Sequence, residues 1–148
     1  MILLLDEPTT GLDPQVRQEI WEKLEELRRS ENLTILLSTH YMDEAEKLCQ
    51  RLIVLSNGKI VAEGVPRELI DRQAGRYALE IREVPVTVRL PAVGDQIRAV
   101  TRGTTHLYFA AQPELLTPLV NFYAENSVML RPANLEDVFL QLTFDNDN

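Results

Sequence analysis

Four apolar residues, Ile2-Leu-Leu-Leu5, run straight into two adjacent acids and a proline, Asp6-Glu7-Pro8. So short an apolar run, with nothing polar inside it, suits a β-strand buried on both faces. Pro8 cannot donate to a strand ladder, so pairing has to stop there, and it biases Glu7 toward an extended backbone. Both carboxylates then stand at the C-terminal tip of a rigid strand, where open α/β sheets hold their ligands. Strand side chains alternate, which sends Asp6 and Glu7 to opposite sides. One carboxylate is suited to a hard cation, and its neighbour to orienting water or taking a proton. Taken alone, the same pair also suits a plain solvated loop entry.

The next segments alternate in kind. Asp13 caps a helix with Pro14 in its first turn, and Val16, Ile20, Leu24 and Leu27, widened by Trp21, form its apolar stripe. Arg28 and Arg29 fall in the last turn, where the helix dipole favours cations. A turn at Glu31-Asn32 leads to a second apolar strand, Leu33 to Leu37, ending in Ser38-Thr39-His40. A short helix from Tyr41 to Gln50 follows, with Met42, Ala45, Leu48 and Cys49 inward. Strand-helix-strand-helix order implies parallel pairing with right-handed crossovers. Asn57-Gly58 between two apolar runs, 51–56 and 59–63, predicts a β-hairpin. Gly64 and Pro66 open a short helix through Asp71.

Residues 73–75 are the expected linker, and beyond them the pattern changes. Alternation over 77–83 predicts a half-buried strand. Residues 84–90 extend it only as an edge, because of Pro85 and Pro91. Strands are expected at 96–102 and 105–111, a helix at 114–125 that Pro118 delays or kinks, a strand at 127–131 and a closing helix at 134–143. This order suggests a small α+β sandwich, with a ferredoxin-like arrangement as one candidate. His106 has no cysteine or histidine at ligand spacing and reads as an ordinary residue.

The net charge of −8 argues against general phosphate-backbone binding to nucleic acid. One cysteine, Cys49, excludes a disulfide framework and fits a reducing compartment. No apolar run approaches the ~20 residues of a membrane helix, and no signal peptide is visible.

The string from Met1 to Asp13 resembles the Walker B and D-loop segments of ATP-binding cassette (ABC) ATPases. A lone histidine is ordinarily a surface or core residue. His40, after Ile35-Leu-Leu-Ser-Thr39 and before Met42-Asp43-Glu44-Ala45, resembles that family's switch (H-loop) histidine. The segment Leu135-Glu-Asp-Val-Phe139 resembles the close of drug-export-type subunits. The resemblance implies an α/β fold: a partial P-loop NTPase parallel sheet with helices over 1–72, then a small α+β domain over 76–143 and a disordered tail over 144–148. It implies ATP and Mg²⁺ as cofactors. Asp6 would hold the metal, Glu7 would polarise the attacking water and His40 would contact the γ-phosphate. Gly11, Leu12 and Asp13 would form the loop that crosses between two ATPase subunits. The implied partners are a second ATPase subunit and a transmembrane permease, with the chain peripheral on the cytoplasmic face of the membrane. The implied role is ATP hydrolysis coupled to export.

The chain departs from the family pattern in three motifs. No G-x-x-x-x-G-K-[ST] occurs in it, nor a Leu-Ser-Gly-Gly signature, nor a Q-loop. A P-loop supplies the amides and lysine that cradle phosphate. The expectation is therefore a C-terminal half of an ABC ATPase, with apolar faces left bare and little or no ATP binding of its own. The alternative function is a non-catalytic interaction or dimerisation module that docks on an ATPase partner. An ABC-type ATPase of DNA repair or translation fits less well, given the acidic balance and the export-like ending.

Overall fold

A computed structural model describes residues 1–30 and 33–144. The expected turn at Glu31-Asn32 lies outside the described residues, as does the expected tail over 144–148 except Phe144, which is the last residue of a helix. Strand β1 (Ile2–Asp6) pairs in parallel with β2 (Thr34–Ser38), with Leu4 opposite Leu36 and Asp6 opposite Ser38. Helix α1 (Pro14–Ser30) makes the crossover. The Asp13 carboxylate accepts the backbone N–H groups of Gln15 and Val16, both at 3.0 Å, and so satisfies donors that the first turn leaves free.

Two sequence expectations change here. Strand β1 is not buried on both faces: Ile2, Leu4 and Leu36 are 69%, 69% and 65% exposed, while Leu3 and Leu5 are partly covered. Partial cover alternates with exposure along both β1 and β2, so the apolar run is half used. Burial on α1 falls on Trp21 and Leu24, while Val16 and Leu27 stay exposed. Helix α2 (Met42–Leu48) packs on α1, and the Trp21 indole N–H donates to Glu44 of α2.

The hairpin β3 (Leu52–Ser56) and β4 (Lys59–Gly64) turns through Asn57 and Gly58, at φ +50° and +73°. Two left-handed residues match the twist of the flanking strands. Helix α3 (Pro66–Leu69) runs into a π-helical turn, Ile70–Ala74. Gly75 then reverses the chain at φ +74°.

A four-stranded antiparallel sheet follows, in the order β6 (Arg98–Arg102), β7 (Thr105–Ala110), β5 (Tyr77–Arg82), β8 (Ser127–Pro132). That order, with every neighbouring pair antiparallel, is the one expected of a ferredoxin-like sheet. What departs from that arrangement is the crossover over 83–97 between β5 and β6, which holds no helix. Residues 84–90, expected as edge strand, are irregular. The helix expected over 114–125 is a 3-10 turn, Pro113–Leu116, followed by α4 (Thr117–Phe122). Pro118 sits in the first turn of α4, where its missing N–H costs nothing. Helix α5 (Leu135–Phe144) closes the chain.

Alternate residues of β7 feed two apolar clusters. Leu107 and Phe109 join Val54, Leu69, Ala78 and Val138 on one face of the sheet. Tyr108 and Ala110 join Leu79, Ile81, Leu116 and Tyr123 on the other. The first cluster also holds the β3–β4 hairpin, so one core spans the early and late parts of the chain. No helix among the described residues is long and apolar enough to cross a membrane.

Candidate functional site

The register of β1 on β2 builds the site. Asp6 and Ser38 are opposite each other at the strand tips, and the Ser38 hydroxyl donates to Asp6 Oδ1. One residue on, the Glu7 backbone N–H donates to both Ser38 O, at 3.0 Å, and Ser38 Oγ, at 3.2 Å. Glu7 is not extended as Pro8 had implied. Its φ is +45°, in the left-handed region that few non-glycine residues occupy. That turn lets the Glu7 carbonyl accept the Thr10 N–H at 3.2 Å, and these bonds at both ends hold a conformation that costs about 1–3 kcal/mol. Because Glu7 has left the strand, strict alternation no longer fixes its direction relative to Asp6.

The Glu7 carboxylate is held from two sides. Thr10 Oγ1 donates to Oε2 at 3.1 Å, and His40 Nδ1 lies 3.3 Å from Oε1. The His40 ring also packs on Tyr41, with centroids 4.2 Å apart, and Arg17 lies over the Tyr41 ring at 4.8 Å. Both Glu7 and His40 keep about half of their side-chain surface in solvent. With Nδ1 turned to Glu7, the other ring nitrogen is left for a second partner.

Asp6, Glu7 and His40 thus share one end of the β1–β2 pair. Gly11, Leu12 and Asp13 follow on the loop that runs from Glu7 to α1. Gly11 turns at φ +80° with open space where a Cβ would be, Leu12 is partly exposed, and Asp13 is committed to capping α1. Among the described residues, no group of three or more acids, histidines or cysteines is placed to hold a metal by itself. An Asp6 carboxylate beside a hydroxyl nonetheless suits Mg²⁺, which keeps several waters and takes one or two carboxylates together with phosphate oxygens.

Two residues here were not singled out from the sequence. Ser38 was seen as polar at a strand tip, but its bond to Asp6 depends on a pairing register that one strand cannot specify. Glu44 was read as part of a helix with other residues inward, yet it is fully buried. Its one signal is the spacing of four from Leu48, which places both on one face of α2.

Comparison with known proteins supplies relatives. Residues 90–143 match the family described as Nodulation factor export protein NodI, C-terminal domain. The chain is 43% identical over 145 residues to the Nod factor export ATP-binding protein I of Cupriavidus metallidurans, covering 96% of this chain and 47% of that protein. It is 45% identical over 143 residues to the protein of that name from Burkholderia pseudomallei, with the same coverage. Among solved structures, cbiO1 from Clostridium perfringens, part of the ABC transporter complex cbiONQ, is 36% identical, with a TM-score of 0.44, over 47% of this chain and 28% of that one. The chain spans about half the length of the curated relatives it matches. In sequence, then, it is similar to the C-terminal portion of the ATP-binding subunit of an ABC transporter.

Proposed function

We propose that this chain forms the water-activating and phosphate-sensing part of an ATP-hydrolysing subunit that powers export through a separate permease. The observation that carries the reading is the meeting of Glu7 and His40, at 3.3 Å, beside Asp6 at the tips of two parallel strands. Relatives named for export and ATP binding support the class of activity.

Each residue then has a role. Asp6, oriented by the Ser38 hydroxyl, offers carboxylate oxygen to Mg²⁺, which when bound neutralises charge on the phosphates. Glu7 orients a water for attack and takes its proton, with Thr10 and His40 fixing the carboxylate. His40 donates from its other ring nitrogen to the terminal phosphate. Gly11, Leu12 and Asp13 lie on the loop that meets a second ATPase subunit. In phosphoryl transfer, positioning and charge stabilisation of this kind carry most of the catalysis. The subunit works on the cytoplasmic face of the membrane, held there by the permease, which selects the cargo. The division into a core part, 1–72, and an accessory part, 76–143, belongs to the same proposal.

The test uses a full-length ATP-binding subunit that carries this segment. Glu7→Gln is expected to lower turnover at least about 100-fold and to leave ATP bound. Turnover at the unmodified rate would remove Glu7 from the base role.

A further inference from the structure

The loop that bears Glu7 has little regular structure of its own. Residues 7–13 hold no strand or helix, and the loop starts from a strained residue. Its root is fixed by the Glu7–Ser38 bonds and its far end by the Asp13 cap on α1. Between these points Thr9 turns inward. Thr9 is fully buried, and its hydroxyl donates to Glu44 Oε1 at 2.8 Å. The same oxygen accepts the Trp21 indole N–H, also at 2.8 Å. Three pieces of chain, the loop, α1 and α2, therefore meet on one carboxylate oxygen.

We infer that Glu44 is a positioning residue for the Glu7–His40 pair, fixing the Glu7 loop to the helix that His40 leads into. The geometry is direct. Glu44 stands in the first turn of α2, and His40 leads into that helix through Tyr41, so any shift of α2 carries both. Thr9 lies two residues after Glu7 and hangs on that turn. The distance between the two strand tips is thus set twice, once by the β1–β2 ladder and once by this buried vertex.

Energetics point the same way. Glu44 is fully buried, and its second oxygen, Oε2, has no hydrogen-bond partner. A buried carboxylate left half satisfied is costly, and an apolar side chain of similar volume would serve packing better. What the carboxylate supplies, and a leucine does not, is an acceptor at a fixed point for two donors from different elements.

The inference rests on the proposed roles of Glu7 and His40 only for its catalytic meaning. Its test reads structure and not turnover, so the two can fail separately. Hydrogen exchange and NMR on the 148-residue chain compare four variants: Thr9→Val, Trp21→Phe, Glu44→Gln and Glu44→Leu. Thr9→Val and Glu44→Leu should speed exchange of the Thr10 and Leu12 amides about tenfold or more and shift the His40 ring resonances. Glu44→Gln, which keeps an acceptor at Oε1, should stay close to wild type. Trp21→Phe should loosen α1 and leave the loop amides within about threefold of wild type. Should a variant fail to fold, the wild-type chain still decides. The Thr10 and Leu12 amides are then expected to be protected together with the Trp21 indole proton. Loop amides exchanging at free-peptide rates beside a protected indole would overturn the inference. So would equal loop effects from Thr9→Val and Trp21→Phe with His40 unmoved.

Discussion

His40 Nδ1 and Glu7 Oε1 stand 3.3 Å apart across the ends of two adjacent parallel strands. The contact depends on register: Asp6 opposite Ser38 puts the residues just beyond each strand end within reach of one another. Slipping the pairing by one residue would turn each strand over and separate them.

Replacing His40 should therefore damage function far more than folding. The His40 side chain is 54% exposed and pairs with a group that is itself half in solvent. His40→Ala is expected to change unfolding free energy of this chain by no more than about 0.5 kcal/mol. In a full-length ATP-binding subunit it should lower ATP turnover about 100-fold or more. Denaturant titration and a phosphate-release assay check the two halves, and a large stability loss would make His40 a folding residue.

At Gly75 the expectation is reversed, with no chemistry at stake and a large cost to folding. Its φ is +74°, and a Cβ there would lie 2.8 Å from the carbonyl carbon and oxygen of Ala110. Backbone atoms of a central strand cannot yield cheaply. Gly75→Ala should destabilise by about 2 kcal/mol or more, combining strain with overlap. Thermal unfolding of the variant measures it.

The ion pair under α5 gives a third expectation. Arg131 donates to both oxygens of Asp137, at 2.7 and 2.8 Å, and Asp137 is almost fully buried. Asp137 also accepts the Asn134 N–H at 3.0 Å, while Asn134 Oδ1 accepts the Asp137 N–H at 3.1 Å, so the pair caps the helix as well. The Asp137 carboxylate is the main cause that raises the Arg131 pKa above its ordinary value, with smaller help from Glu80. Asp137→Ala should cost about 3 kcal/mol, the low end for breaking a buried pair, since Arg131 keeps 24% of its side chain in water. The urea midpoint should fall with its slope unchanged.

Stability should also depend on pH through His106. The ring is buried, its Nδ1 lies 2.8 Å from the Tyr123 hydroxyl, and Tyr123 in turn bonds the Tyr108 hydroxyl at 2.7 Å. Burial pushes the His106 pKa below its ordinary 6.5, so the fold prefers the neutral ring. The unfolded chain then binds the proton more readily. This contribution is whole above about pH 6.5 and is lost as pH falls through the folded pKa. The urea midpoint should drop between pH 7 and 5, and His106→Gln should flatten that part of the curve.

The sequence disclosed the elements near the site better than their surroundings. Asp6, Glu7 and His40 were readable because polar residues that close apolar runs mark strand tips, and the Asn57-Gly58 hairpin because its chemistry is local. What escaped depended on partners distant in the chain. Ser38 bonds to Asp6 only through sheet register. Glu44 was not among the inward residues expected of its helix, because Thr9 and Trp21 reach it only in the folded chain. The left-handed turn at Glu7 went against the local bias of Pro8, because bonds to Ser38 and Thr10 outweigh it. His106 seemed ordinary because its partner, the Tyr123 hydroxyl, lies seventeen residues on, at the end of α4.

The apolar cluster that joins Val54, Ala62 and Leu69 to Ala78, Phe109 and Val138 bears on how this chain can be divided. A protease nick or a gene boundary placed at residues 73–75 would leave two pieces, each presenting greasy surface that only the other can cover. Trimming either end back to a tidy module is thus expected to yield inclusion bodies, and the pieces should recover only when expressed side by side.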